Sequence, residues 1–249
     1  MSGHSKWSTI KRKKGAADAK RGKIFTKVIK EITIAARLGG GDPAGNPRLR
    51  NAIDLAKSNN MPASNIDRAI KKGTGELEGV LYEELLYEGV GPGGTLFLLE
   101  VMTDNRNRTA PEIRKIFDKY GGQLGASGSA SWAFDQKGTI KLPREAATEE
   151  ALFEVSGAAG AEDLVEDGDH WLVTTPRDAM DVVRDALEGA GYRELQTRLA
   201  QIPKTPKLAD DADAEKLVGL FETLDDHDDI QSVFTDFELS ESALARLDA

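Results

Sequence analysis

Residues 138–203 read GTIKLPREAATEEALFEVSGAAGAEDLVEDGDHWLVTTPRDAMDVVRDALEGAGYRELQTRLAQIP. Extended runs at Thr139 to Leu142, Asp163 to Glu166, His170 to Thr174 and Arg193 to Ile202 predict strands, and helical spacing at Thr148 to Ala158 and Pro176 to Gly189 predicts helices between them. The order is β-α-β-β-α-β, that of a ferredoxin-like unit. Because this unit is complete in itself, the segments on either side must find their partners elsewhere.

Upstream, Glu84 to Tyr87 and Leu96 to Thr103 read as strands around the turn Gly89-Val90-Gly91-Pro92-Gly93-Gly94. Thr109 to Glu112 has the form of a capping box opening a helix with Ile113, Ile116 and Phe117 inward, closed by Gly121-Gly122. A Gly/Ser loop then leads to a strand at Trp132 to Phe134. Downstream, a helix from about Asp213 to Leu224 and a strand from Ile230 to Phe237 are too few to fold alone, so they are expected to return to the sheet begun at Glu84.

The first seventy residues read differently. Ile24, Phe25, Val28, Ile29, Ile32 and Ala36 recur at helical spacing from Gly22 to Leu38, and Gly39-Gly40-Gly41 stops the run. Asn46-Pro47 reads as N-cap and first-turn proline of a second helix, and Ser64 with Asp67 resembles a capping box for a third that closes at Lys71-Lys72-Gly73. The expected fold is multidomain α and α+β. It has a basic flexible tail at 1–21, a three-helix bundle at 22–73, a middle α+β domain at 80–136 plus 207–249, and the ferredoxin-like domain inserted at 137–206.

Charge follows the same boundaries. The whole chain of 249 residues carries a formal −9, but Met1 to Lys72 holds 17 Lys and Arg against 5 Asp and Glu, a net +12, leaving −21 on the remainder. Such asymmetry points to contact with a polyanion confined to one end. The chain has no Cys, which excludes disulfides and thiolate chemistry and fits a reducing, cytoplasmic address. No run of eighteen apolar residues suggests a membrane span, and the opening MSGHSKWSTIKRKK has charges where a signal peptide needs its apolar stretch.

The candidate nucleic-acid contacts are Lys6, Lys11, Arg12, Lys13, Lys14, Lys20, Arg21 and Lys23 in the first 23 residues, with Trp7 able to stack on a base. Lys27, Lys30, Arg37, Arg48, Arg50, Arg68, Lys71 and Lys72 follow on the bundle. Arg106 and Arg108, in the polar run Asp104 to Thr109, could clamp phosphate or carboxylate. The Gly89 to Gly94 loop leads into a strand rather than a helix, so it reads as a turn and not as a phosphate cradle. Asp225-Asp226-His227-Asp228-Asp229 cannot converge on one ion without a special loop, and no nucleophile elbow or metalloprotease motif is present. The chain is therefore expected to be no enzyme, to need no cofactor, metal or small-molecule substrate, and to act as a monomer.

Gly3-His4-Ser5-Lys6-Trp7, Ala19 to Phe25, Gly39-Gly40-Gly41-Asp42-Pro43, Asn46 to Arg50, Asn59-Asn60-Met61-Pro62, Tyr87-Glu88-Gly89 with Gly91 to Gly94, and Asp104 to Thr109 together resemble the YebC/PmpR family. Val90 and Ala130 stand where an aromatic residue and Val are frequent. The resemblance implies three domains as read above and a DNA-binding regulator of transcription in the bacterial cytoplasm. A mitochondrial relative resembles a translational activator of cytochrome c oxidase, and bacterial members have been linked to ribosomes stalled on proline-rich sequences. The resemblance thus also implies an alternative, a translation factor contacting ribosomal RNA or tRNA.

Overall fold

The computed structural model describes residues 17–193 and 196–248. Helices α1 (Ala17–Gly39), α2 (Pro47–Ser58) and α3 (Ala63–Thr74) enclose a core of Val28, Ile32, Leu49, Ile53, Ala56 and Ile66. Asn46 starts α2 as its composition suggested. Its Oδ1 accepts from the Leu49 N–H at 3.1 Å, while its Nδ2 donates to the carbonyls of Ala35 at 2.8 Å and Gly40 at 2.9 Å. One side chain thereby caps α2 and ties it to the end of α1.

The third helix starts where expected, between Pro62 and Ser64, but departs from expectation in its cap and at its C-terminal end. No side chain caps it, because it begins at Ala63 and places Ser64 inside the first turn, where Asp67 pairs instead with Lys71 at 2.9 Å. It also continues past Gly73 to Thr74, with Gly75 in the left-handed region at φ 84°. Gly73 is needed at the crossing: a Cβ there would press on the Thr33 carbonyl oxygen and come within 2.8 Å of the Ala36 Cβ. Gly73→Ala should therefore destabilise the bundle by about 1–3 kcal/mol, the range for overpacking, despite alanine's better helix propensity. A urea midpoint equal to or above wild type would reject this.

The middle domain is a sheet in the order β3-β1-β2-β9, built from β1 (Glu83–Val90), β2 (Leu96–Thr103), β3 (Gln123–Leu124) and β9 (Ile230–Thr235). The returning C-terminal strand lies antiparallel to β2, with Leu99 opposite Val233. Helices α4 (Arg106–Lys119) and α7 (Ala214–Asp225) cover one face, over Phe97, Leu99, Val101, Ile113, Phe117 and Leu217. The β1–β2 turn passes through Gly93 at φ 66° and Gly94 at φ 73°, which glycine alone adopts without strain. Helix α4 starts four residues earlier than expected. Asn105 is its cap, accepting from the Arg108 N–H at 3.2 Å, because Thr109 lies one turn inside with its hydroxyl turned to a distant carboxylate.

The inserted domain comprises β4 (Phe134–Pro143), α5 (Glu149–Ala158), β5 (Asp163–Asp167), β6 (His170–Thr175), α6 (Met180–Gly189) and β7 (Gln196–Pro203). Its strand order β5-β6-β4-β7, with every neighbour antiparallel, is the ferredoxin-like arrangement. Trp132 to Phe134 and Thr139 to Leu142, read as two strands, are a short turn at Ser131–Ala133 followed by one continuous strand. The polar stretch between them resembles a loop, yet it pairs with β7 from Phe134 opposite Pro203 to Lys141 opposite Gln196. The chain enters and leaves this domain side by side, and Phe134 and Ala200 rest on Leu98 and Phe234 of the middle sheet.

Other elements depart from the sequence reading: Gln123-Leu124, in the stretch read as a Gly/Ser loop, forms β3, and Phe237, read as the end of one strand from Ile230, belongs to a separate short strand after Thr235. The short strands β8 (Lys207–Leu208) and β10 (Phe237–Glu238) pair in parallel, and a terminal helix α8 runs Glu241–Asp248. Ser240 and Ser242 both donate to Asp211, and Ala243 and Leu244 close the core beside α7.

Candidate nucleic-acid interface

Lys23, Lys27 and Lys30 repeat at helical spacing and so share one side of α1. That side docks onto the turn after α7. Lys23 Nζ lies 3.0 Å from Asp226, Lys27 Nζ donates to the Asp225 carbonyl at 2.7 Å, and Lys30 Nζ reaches Asp229 at 2.5 Å. The acidic run 225–229 is thus the counterpart of the lysine stripe. Among the described residues, no three His, Asp or Glu side chains are placed to hold a metal ion.

Asp229 is the centre of this contact. Its Oδ1 accepts from Lys30, and its Oδ2 accepts from Arg108 at 2.6 Å and from the Thr109 hydroxyl at 2.7 Å. Lys30 also donates to the carbonyls of Met102 at 3.2 Å and Asp228 at 2.9 Å, and its side chain is 7% exposed. Burial pushes the Asp229 carboxyl up, but hydrogen bonds from Lys30, Thr109 and Arg108 outweigh it and hold the group well below the usual carboxylate range. A cation so enclosed offers nothing to an external phosphate. Lys30 therefore leaves the candidate set, and Arg108, though partly exposed, is committed to Asp229 and to Asp104 at 3.1 Å.

Arg48 is committed in the same way. Its guanidinium bridges Glu31 on α1 and Glu84 on β1, both at 2.6 Å, and the Glu31 hydrogen bond above all raises its basicity against the opposing effect of burial. Arg37 donates to the Tyr82 carbonyl at 2.7 Å, and Arg50 to that of Pro43 at 3.2 Å. These contacts hold the bundle to the middle domain or to itself.

A different group stays open. Arg68 and Lys72 are exposed on the outer side of α3, beside Lys71, and have no carboxylate partner among the described residues. Arg106 is likewise exposed at the start of α4. Lys20 and Arg21 lie in the first turns of α1, and Lys6, Trp7, Lys11, Arg12, Lys13 and Lys14 lie outside the described residues. Sequence reasoning weighed Asp225, Asp226 and Asp229 only as metal ligands and did not consider Glu31 and Glu84 as charge partners, so it missed that these acids neutralise the bundle. It also passed over Arg114 and Lys115, which are exposed on α4.

Two family models between them match most of the chain. Residues 5–76 match the family model described as the TACO1/YebC protein N-terminal domain, and residues 82–237 match the one described as the TACO1/YebC second and third domain. The chain belongs to the TACO1/YebC family. A relative from Geobacter sp. strain M21, named a probable transcriptional regulatory protein, is 53% identical over 99% of this chain and 100% of its own length. One of the same description from Syntrophus aciditrophicus is 54% identical over the full length of both. The crystal structure of a conserved hypothetical protein from Aquifex aeolicus superposes with a TM-score of 0.86 at 44% identity, covering 92% of this chain and 95% of that one. No helix among the described residues is long and apolar enough to cross a membrane.

Proposed function

We propose that this protein is a non-enzymatic regulator of transcription that acts as a cytoplasmic monomer, without cofactor, by holding the phosphate backbone of duplex DNA. The observation that carries this reading is the segregation of charge, +12 on residues 1–72 against −21 on the rest. Within that positive end the fold divides the cations into two sets. Lys23, Lys27, Lys30 and Arg48 meet internal carboxylates, whereas Arg68 and Lys72 do not. The unpaired set, with the basic tail, is what remains for phosphate. The relatives' description as probable transcriptional regulatory proteins supports DNA as the polyanion.

The acidic remainder limits how DNA can approach: the positive end faces phosphate while the body is repelled. Binding should accordingly be steeply salt-dependent and nearly indifferent to base sequence. The test is a competition titration at fixed salt among a promoter fragment, a scrambled duplex of equal length and purified ribosomes. Comparable affinity for the two duplexes, with ribosomes no better per phosphate, is the expected result. Ribosomes displacing DNA completely at equal phosphate concentration would replace this reading with that of a ribosome-bound translation factor.

A further inference from the structure

We infer that the exposed side of α4 is a second phosphate-contacting surface, on which the DNA held by the tail continues. This rests on the reading above and extends it into the acidic part of the chain. Residues 106–119, RNRTAPEIRKIFDK, hold five Lys and Arg against two acids, a net +3, while the other residues from 73 onward carry −24. A helix of that sign is out of character with its surroundings. Thr109, Ile113 and Phe117 turn inward, which leaves Arg114 and Lys115 on the solvent side and Arg106 at the exposed first position.

The pairing of charges sharpens the contrast. Of the eleven other Lys and Arg beyond residue 72, Lys137, Lys141, Arg144, Arg184, Lys204 and Arg246 sit beside a carboxylate, and the remaining five, Arg177, Arg193, Arg198, Lys207 and Lys216, lie singly on separate segments and not together on one helix. Arg106, Arg114 and Lys115 have none among the described residues, and one of the two acids on α4, Glu112, is engaged by His227 at 3.1 Å. Unpaired cations clustered on one helix gain by releasing condensed counterions from a nucleic acid, which isolated surface lysines do only weakly.

Location links α4 to the tail. Lys23 pairs with Asp226, and the next residue, His227, contacts Glu112 in the second turn of α4. The start of α1 and the start of α4 therefore flank the same turn, and the chain leading to the tail begins on that side. The acids between them do not repel an approaching backbone at full strength, since Lys23, Lys27, Lys30 and Arg108 already face Asp226, Asp225 and Asp229. The occupant whose charge fits is a duplex DNA backbone reaching from the tail across α4.

The experiment uses the full chain and a mixed-sequence duplex DNA of about 20 base pairs, followed by fluorescence anisotropy over a salt series. The variants are Arg106→Gln/Arg114→Gln/Lys115→Gln and a control that removes charge elsewhere, Arg177→Gln/Lys216→Gln, both exposed sites. The log–log salt slope of the α4 variant should fall by about 2 to 3, with unfolding temperature unchanged, and that of the control should not move. Wild-type binding with an unaltered slope for the α4 variant, or an equal fall for the control, overturns the α4 surface while leaving the tail reading intact. Wild type failing to bind the duplex overturns both. A loss seen with an RNA duplex of the same length but not with DNA overturns DNA as the occupant of α4.

Discussion

Replacing Asp229 by Ala should destabilise the protein by about 3–5 kcal/mol, the cost of breaking a buried ion pair from one side. Lys30 would keep the carbonyls of Met102 and Asp228 but no carboxylate for a buried positive charge, and Thr109 would be left with the Asn105 carbonyl at 3.1 Å as its acceptor. Asp229→Asn, which keeps the shape and one acceptor, should lose less, about 1–3 kcal/mol. Pairing Asp229→Ala with Lys30→Met should recover part of the loss, because the stranded charge is then removed. Denaturant unfolding of the three variants measures this, and a loss below about 1 kcal/mol for Asp229→Ala would rule out the proposed keystone role.

Acid supplies an independent check on the same group. The Asp229 carboxyl is held below its ordinary range in the folded chain, so its contribution is complete above the unfolded value near pH ~3.9 and is lost as pH falls through the folded value. The stability difference between wild type and Asp229→Ala should therefore be constant from about pH 8 to 5 and shrink only in strong acid. A difference that instead grows on acidification would mean that burial, and not the three donors, governs this carboxyl.

What could be read from the sequence was what neighbours in the chain decide. Asn46-Pro47 announced α2 because a cap and its proline act within one turn. The β-α-β-β-α-β order announced the inserted sheet because each element carries its own period. The start of α4 was misread because Asn105 and Thr109 can both cap, and the choice falls to Asp229, 120 residues beyond Thr109, which takes the threonine hydroxyl. The bundle's lysines were visible as a stripe. Their use was not, since the carboxylates that meet them lie 198 or more residues away and a stripe looks the same facing protein as facing phosphate. Helix α8 had a readable signal in Ser240 just before its start, followed by Ala243, Leu244 and Leu247, but so short a run resembles a loose terminus until its core contacts are seen.

Deleting Met1 to Ala16 should flatten the salt dependence of DNA binding while leaving thermal unfolding nearly unchanged. The cut falls just before α1 begins at Ala17, so no described element is shortened. It removes five cations, Lys6, Lys11, Arg12, Lys13 and Lys14, and no acid. If each neutralises one phosphate, the log–log slope falls by about 4 to 5, so over the fourfold rise from 0.05 to 0.2 M salt the wild-type affinity should drop roughly 500-fold further than the truncated protein's. The size of the effect follows from how the fold disposes of the other cations. Lys23, Lys27, Lys30, Arg48 and Arg108 already face carboxylates and release few counterions on binding, so the tail carries a share of the slope out of proportion to its length. Trp7 adds a separable contribution, because stacking is insensitive to salt: Trp7→Ala should weaken binding to single-stranded DNA without altering the slope. A slope change below about 1 on truncation would place the phosphate contacts on the folded domains and not on the tail.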